Sequence, residues 1–121
     1  MCKILVVDDA SFMRLMIRQI LSSSTDLEII EAENGEVALE LFQTHHPDLV
    51  FLDITMPVRD GLSTLSEILE VDPNAKVIMC SAIAQESVVL DALKMGAIDF
   101  VIKPFRRNQL LDVVDKYLSN G

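Results

Sequence analysis

The sequence predicts an α/β fold: a doubly wound five-stranded parallel sheet in the order 2-1-3-4-5. Three observations predict it. Five short apolar, β-branched runs recur along the chain, five segments of helical period lie between and after them, and the two kinds alternate strictly. Of the two common doubly wound orders, 2-1-3-4-5 is the five-strand one. It makes the first and third strands neighbours, with the ligand crevice outside their carboxyl ends.

The strands are expected at Lys3–Asp8, Leu27–Ala32, Asp48–Asp53, Lys76–Cys80 and Ile98–Ile102. The first, third and fourth are almost continuously apolar, which suits strands buried on both faces. Glu28 and Glu31 interrupt the second, which reads as an edge strand. The helices follow in turn. Ser11–Ser24 stacks Phe12, Leu15, Met16 and Ile20 on one side, and Glu36–His45 groups Val37, Ala38, Leu41 and Phe42. Gly61–Val71 groups Leu62, Leu65, Ile68 and Leu69, and Gln85–Met95 groups Val88, Val89, Ala92 and Leu93. Asn108–Leu118 repeats Leu111, Val114 and Leu118. Asn34–Gly35 and Asp60–Gly61 mark helix starts, Pro47 and Pro73–Asn74 precede strands, and Gly96 fits a left-handed helix C-terminal cap.

Composition bounds the function. The 121 residues suffice for one domain, 1–121, and half of them are hydrophobic, enough for a core. Nineteen acids against ten bases give a net charge of −9, which argues against a broad nucleic-acid-binding surface. No apolar run has the length of a membrane span, and Met1–Asp9 lacks a signal-peptide layout. The expectation is a cytoplasmic protein that binds neither nucleic acid nor membrane. Cys2 and Cys80 are expected as small buried apolar side chains. At opposite ends of their strands they would lie roughly 15 Å apart, too far for a disulfide.

The chemistry gathers at the strand ends. Asp8 and Asp9 end the first strand and Asp53 the third, so the predicted order brings three carboxylates together. A lone acid there could simply cap a helix or turn. Three repel one another, and a divalent cation would relieve the repulsion; oxygen-only ligands favour Mg²⁺, with the Thr55 carbonyl as a further ligand. Ser81 follows the fourth strand and Lys103 the fifth, adding a hydroxyl and an ammonium to the same rim. This set suits phosphoryl transfer to an aspartate. His45 and His46 sit at a helix end, where a cation suits the dipole, and are not needed as ligands.

Val6–Ala10 (VVDDA), Phe51–Gly61 (FLDITMPVRDG), Cys80–Ala82 (CSA) and Gly96–Phe105 (GAIDFVIKPF) come in this order over the whole chain. In these motifs the sequence resembles the receiver domains of two-component response regulators, a flavodoxin-like (βα)5 family. Asp8–Arg14 (DDASFMR) and the lack of residues for an output domain bring it nearest the single-domain chemotaxis regulators. The resemblance implies a signalling switch rather than an enzyme with a separate substrate. Asp53 would accept a phosphoryl group from a histidine kinase. Asp9 would ligate Mg²⁺ directly and Asp8 mainly through water, with Thr55 adding its carbonyl. Ser81 would be the switch hydroxyl, Lys103 would pair with the phosphoryl group, and Phe100 would be the switch aromatic. The Lys103–Pro104 bond would be cis.

Signal output would pass through the fourth helix, fifth strand and fifth helix, where Gln85, Glu86, Lys94, Arg106, Arg107 and Gln109 are candidates for exposure. The implied partners are the kinase, a flagellar motor switch protein and a phosphatase, met by a monomer. Phe100 departs from the tyrosine common in the family, and Ile83 cannot orient a hydrolytic water, so slow self-hydrolysis is expected. An alternative role is control of transcription or development. A Mg²⁺-dependent aspartyl-phosphate phosphatase would want a second Asp where Thr55 stands. A flavin carrier is disfavoured by Asp8–Asp9 and the scarcity of aromatics.

Overall fold

The computed structural model describes residues 2–22, 26–54, 60–82 and 85–118. The strands are β1 (Cys2–Val7), β2 (Leu27–Ala32), β3 (Leu49–Asp53), β4 (Val77–Ser81) and β5 (Asp99–Ile102). The helices are α1 (Ser11–Leu21), α2 (Gly35–His45), α3 (Gly61–Val71), α4 (Glu86–Met95) and α5 (Arg107–Leu118). All strands are parallel, in the order β2-β1-β3-β4-β5, as the sequence predicts.

Because side chains alternate along a strand, the sheet has two apolar faces. Leu5, Val7, Val50, Leu52, Val77 and Met79 face one side and pack under α2, α3 and α4. Ile4, Val6, Leu49, Phe51, Ile78 and Cys80 face the other and pack under α1 and α5. β2 is an edge strand and only Ala32 in it is buried, in keeping with its two glutamates.

The helix starts follow the capping residues. Asn34 accepts a hydrogen bond from the Val37 amide and Asp60 from the Ser63 amide, each satisfying an otherwise unpaired donor. Gly96 ends α4 at φ 128°, a conformation open to glycine. At the end of α2, His46 takes the left-handed conformation (φ 49°, ψ 60°), which the sequence did not signal.

Two helical faces differ from expectation. In α1 the buried residues are Met13, Ile17 and Leu21, with Met16 and Ile20 at the margin; Phe12 and Leu15 are 66% and 51% exposed. Apolar residues cover most of this helix, so periodicity alone does not fix its rotation. Arg14 and Arg18 do, because both reach Glu31 on β2. In α5, Leu110 and Val113 are buried together with Val114, while Leu111 and Leu118 pack at the edge. Cys80 is buried and Cys2 half-buried, and both are free thiols. Among the described residues no helix is long and apolar enough to cross a membrane.

Candidate functional site

Parallel strands end on one edge, and this edge gathers the acids. Asp8 follows β1 directly, Asp53 is the last residue of β3, Ser81 the last of β4, and Lys103 follows β5. The register sets Val7 beside Leu52, Asp53 beside Cys80 and Ser81 beside Ile102, so the ends lie level. The Lys103 amide extends the β4–β5 pairing by donating to the Ser81 carbonyl at 2.7 Å.

Asp8, Asp9 and Asp53 each present a carboxylate oxygen within 4.8 Å of the others. Asp8 and Asp53 are buried and Asp9 is exposed. Lys103 Nζ donates to Asp8 Oδ2 at 2.9 Å and to Asp53 Oδ1 at 3.0 Å. Burial alone would lower the lysine's pKa. The hydrogen bonds and charges of Asp8 and Asp53 outweigh it and hold the pKa above its ordinary value, so the ammonium form is kept. One ammonium cannot balance three carboxylates. The oxygen-only donor set and the remaining negative charge fit a hard divalent cation.

Ser81 Oγ is buried and has no hydrogen-bond partner among the described residues. A buried hydroxyl left unpaired costs roughly 1–3 kcal/mol. At the rim of an acid and ammonium cluster, it suits a group that brings acceptor oxygens. The neighbouring Cys80 thiol is pushed well above its ordinary pKa by burial, opposed by Lys103 and reinforced by Asp53 and Asp8, so it stays a neutral packing group.

Thr55 and Ile83 lie outside the described residues. Phe100 sits on β5 and is 38% exposed, so it is not a core aromatic. The Lys103–Pro104 bond is cis. Glu86, Lys94, Arg106 and Arg107 are exposed, and Gln85 and Gln109 are half-buried. The suggestion that Asp8 or Asp9 caps the following helix does not hold: α1 has no side-chain cap, and Asp8 Oδ1 instead accepts from the Ala10 amide at 3.0 Å.

Two supporting residues escaped the sequence reading. Arg14 Nη1 donates to the Asp8 carbonyl at 2.6 Å, and a Cβ on Gly61 would lie 2.5 Å from the Asp53 carbonyl oxygen. The Arg14/Arg18 spacing opposite a glutamate in an edge strand was the available signal for the first. The sequence marks Gly61 only as part of the turn into a helix; its further constraint is the approach of α3 to the end of β3, where its amide donates to the Ile54 carbonyl at 2.8 Å.

The chain is 49% identical to the chemotaxis protein CheY of Bacillus subtilis over 117 residues, covering 97% of this chain and 98% of that one. It is 51% identical to the chemotaxis protein CheY of Listeria monocytogenes over 117 residues, covering 96% and 98%. The solved receiver domain of NtrX from Brucella abortus superposes with a TM-score of 0.90 at 35% identity, covering 98% of this chain and 99% of that one. Residues 4–115 match the response regulator receiver domain family, and with the five-stranded fold and the acid-bearing strand ends the chain belongs to that family of two-component signalling proteins.

Proposed function

We propose that residues 1–121 act as one phosphorylation-activated switch, with Asp53 as the phosphoacceptor and a histidine kinase as the donor. The observation that carries this reading is the Lys103 ammonium bridging two buried carboxylates, Asp8 and Asp53, beside the exposed Asp9. Asp53 is held at the end of a fully buried strand, so its position is fixed by the sheet. An Asp53 carboxylate oxygen attacks the phosphorus of a phosphohistidine. The new O–P bond forms as the P–N bond breaks, and the imidazole leaves with the bonding pair and takes up a proton.

Asp8, Asp9, Asp53 and the Thr55 carbonyl would hold Mg²⁺, which when bound offsets charge on the phosphoryl oxygens. Lys103 would turn from the carboxylates to a phosphoryl oxygen, and the Ser81 hydroxyl would donate to another. A group carrying up to two negative charges at this rim would bias the surface of α4, β5 and α5. Phe100 would report that change by packing inward. The cleft between β5 and α5, which Phe100, Arg106, Arg107, Gln109 and Asp112 help to line, would serve as the output face.

The likeness to chemotaxis proteins supports a role in the cytoplasm, in chemotaxis and flagellar motor control, with a motor switch protein as target and a separate phosphatase as terminator. Ile83 supports slow self-hydrolysis, because an isoleucine cannot orient water. The test is incubation with Mg²⁺ and acetyl phosphate or beryllofluoride, read by intact mass or by fluorine NMR. Mg²⁺-dependent, saturable modification that vanishes in Asp53→Asn is expected. Modification of Asp53→Asn at the normal rate would remove Asp53 as the acceptor.

A further inference from the structure

We propose that Arg14 is a positioning residue for the acid site, held in place by Glu31. The inference rests on the reading of Asp8 as part of a Mg²⁺ site. Asp8 is clamped at every polar group. Its amide donates to the Ala32 carbonyl at 3.1 Å, Oδ1 accepts from the Ala10 amide at 3.0 Å, and Oδ2 accepts from Lys103 at 2.9 Å. The remaining group, the Asp8 carbonyl, accepts from Arg14 Nη1 at 2.6 Å.

That last bond fixes the peptide joining Asp8 to Asp9. Asp9 is exposed, and the turn carrying it leads straight into α1, which lacks a side-chain cap. The Arg14 bond therefore restrains the direction in which the Asp9 carboxylate leaves the chain. A charge-assisted bond from a planar guanidinium does this with a fixed geometry.

Arg14 is itself restrained. Its Nε donates to Glu31 Oε1 at 2.9 Å, while Arg18 takes Glu31 Oε2 at 2.8 Å. Arg18 Nη2 also donates to the Ile29 carbonyl at 3.2 Å. Only 16% of the Arg14 side chain is exposed, against 44% of Arg18, so Arg14 is the more buried of the two cations. Glu31 thus fastens the acid-bearing turn to the edge strand through one side chain. The trio of two arginines and one glutamate also leaves one positive charge beside an acid cluster in excess.

Residues that orient metal ligands typically cost 10–100-fold in metal affinity when removed. Arg14 acts through the backbone, so the lower end, about tenfold, is expected for Arg14→Met. The experiment measures Mg²⁺ affinity by titration calorimetry, Ala10 amide exchange without metal, and urea stability without metal, for wild type, Arg14→Met, Arg14→Lys and Arg18→Met. Arg14→Met should weaken Mg²⁺ binding and speed Ala10 exchange relative to its global stability. Arg14→Lys, whose ammonium cannot span both acceptors in the fork geometry, should do the same more mildly and covers the case of a poorly folded Met variant. Arg18→Met should leave both readouts within about twofold while losing comparable stability. Unchanged Mg²⁺ affinity in both Arg14 variants, or equal weakening in Arg18→Met, overturns the inference. Wild-type protein that binds no Mg²⁺ overturns the metal reading instead, and Ala10 exchange then still reports on the clamp.

Discussion

Replacing Asp53 by asparagine should make the metal-free protein more stable. Three carboxylate oxygens lie within 4.8 Å of one another, and Lys103 is 3.0 Å from Asp53. With an effective dielectric constant of about 20, a like-charge pair at the outer separation costs roughly 3.5 kcal/mol. The Lys103 contact returns roughly 5.5 kcal/mol on the same scale. From Asp8, Asp9 and Lys103 alone, Asp53 meets two repulsions and one attraction, a net cost of roughly 1.5 kcal/mol. Exposure of Asp9 weakens its share, while desolvation of the buried Asp53 carboxylate acts in the opposite direction. The substituted side-chain amide would keep an acceptor oxygen for Lys103 without the charge. A gain of about 1–2 kcal/mol follows, or about 4–8 °C in Tm for a domain of this size.

The assay is urea unfolding followed by circular dichroism, with and without Mg²⁺. Without metal the variant's midpoint should rise at unchanged m-value. With saturating Mg²⁺ the wild type should gain more than the variant, because a ligand bound only by the folded state stabilises it and the variant has lost one carboxylate donor. A metal-free Asp53→Asn protein equal to or less stable than wild type would refute the reasoning. Lys103 would then outweigh the repulsion.

Three other outcomes are open to test. Gly61→Ala should cost about 2–4 kcal/mol in urea unfolding, because its Cβ would press within 2.5 Å of the Asp53 carbonyl oxygen and 2.7 Å of Ile54 Cα, both backbone atoms unable to step aside. Its phosphorylation by acetyl phosphate should slow in parallel. Ile17→Ala should lose about 2–4 kcal/mol and Phe12→Ala about 0.5 kcal/mol or less, since the first is 1% and the second 66% exposed. Glu31 concerns pH: burial raises its pKa, but hydrogen bonds and charge from Arg14 and Arg18 together win and hold it below 4.5. A depressed carboxylate stabilises fully above its unfolded value and loses that as pH falls through the folded one. Glu31→Gln should therefore narrow the stability gap to wild type as pH falls below about 4.5, with a small amplitude because the Arg18 side of the cluster is open to solvent.

The strands were legible because runs such as Leu49–Leu52 and Val77–Cys80 are apolar at every position, and only a two-sided parallel sheet buries both faces. From that topology the meeting of Asp8, Asp9, Asp53, Ser81 and Lys103 on one rim followed, since parallel strands share an end. The rotation of α1 was not legible. Phe12, Met13, Leu15, Met16, Ile17, Ile20 and Leu21 offer more than one apolar stripe, and the choice between them is tertiary. Gly61 has the same lesson at a smaller scale. A glycine after an aspartate reads as a turn, and only the packing of α3 on β3 turns it into a requirement for space.

The site and the stability of the sheet pull against each other in a specific way. Two buried acids share one ammonium, and a third acid remains beside them, so these four groups alone leave two negative charges over. A monovalent cation would halve that excess and a divalent one would cancel it, so the local charge favours a divalent cation over a monovalent one. The rest of the molecule tolerates the excess because it is placed at a strand edge open to water on the Asp9 side. Among the described residues the only buried charged side chains are Asp8 and Asp53, both at this rim. The proposed switch would use such a rim on a closely packed sheet: a charge added there would change the balance locally, while the fully buried β3 keeps Asp53 in place.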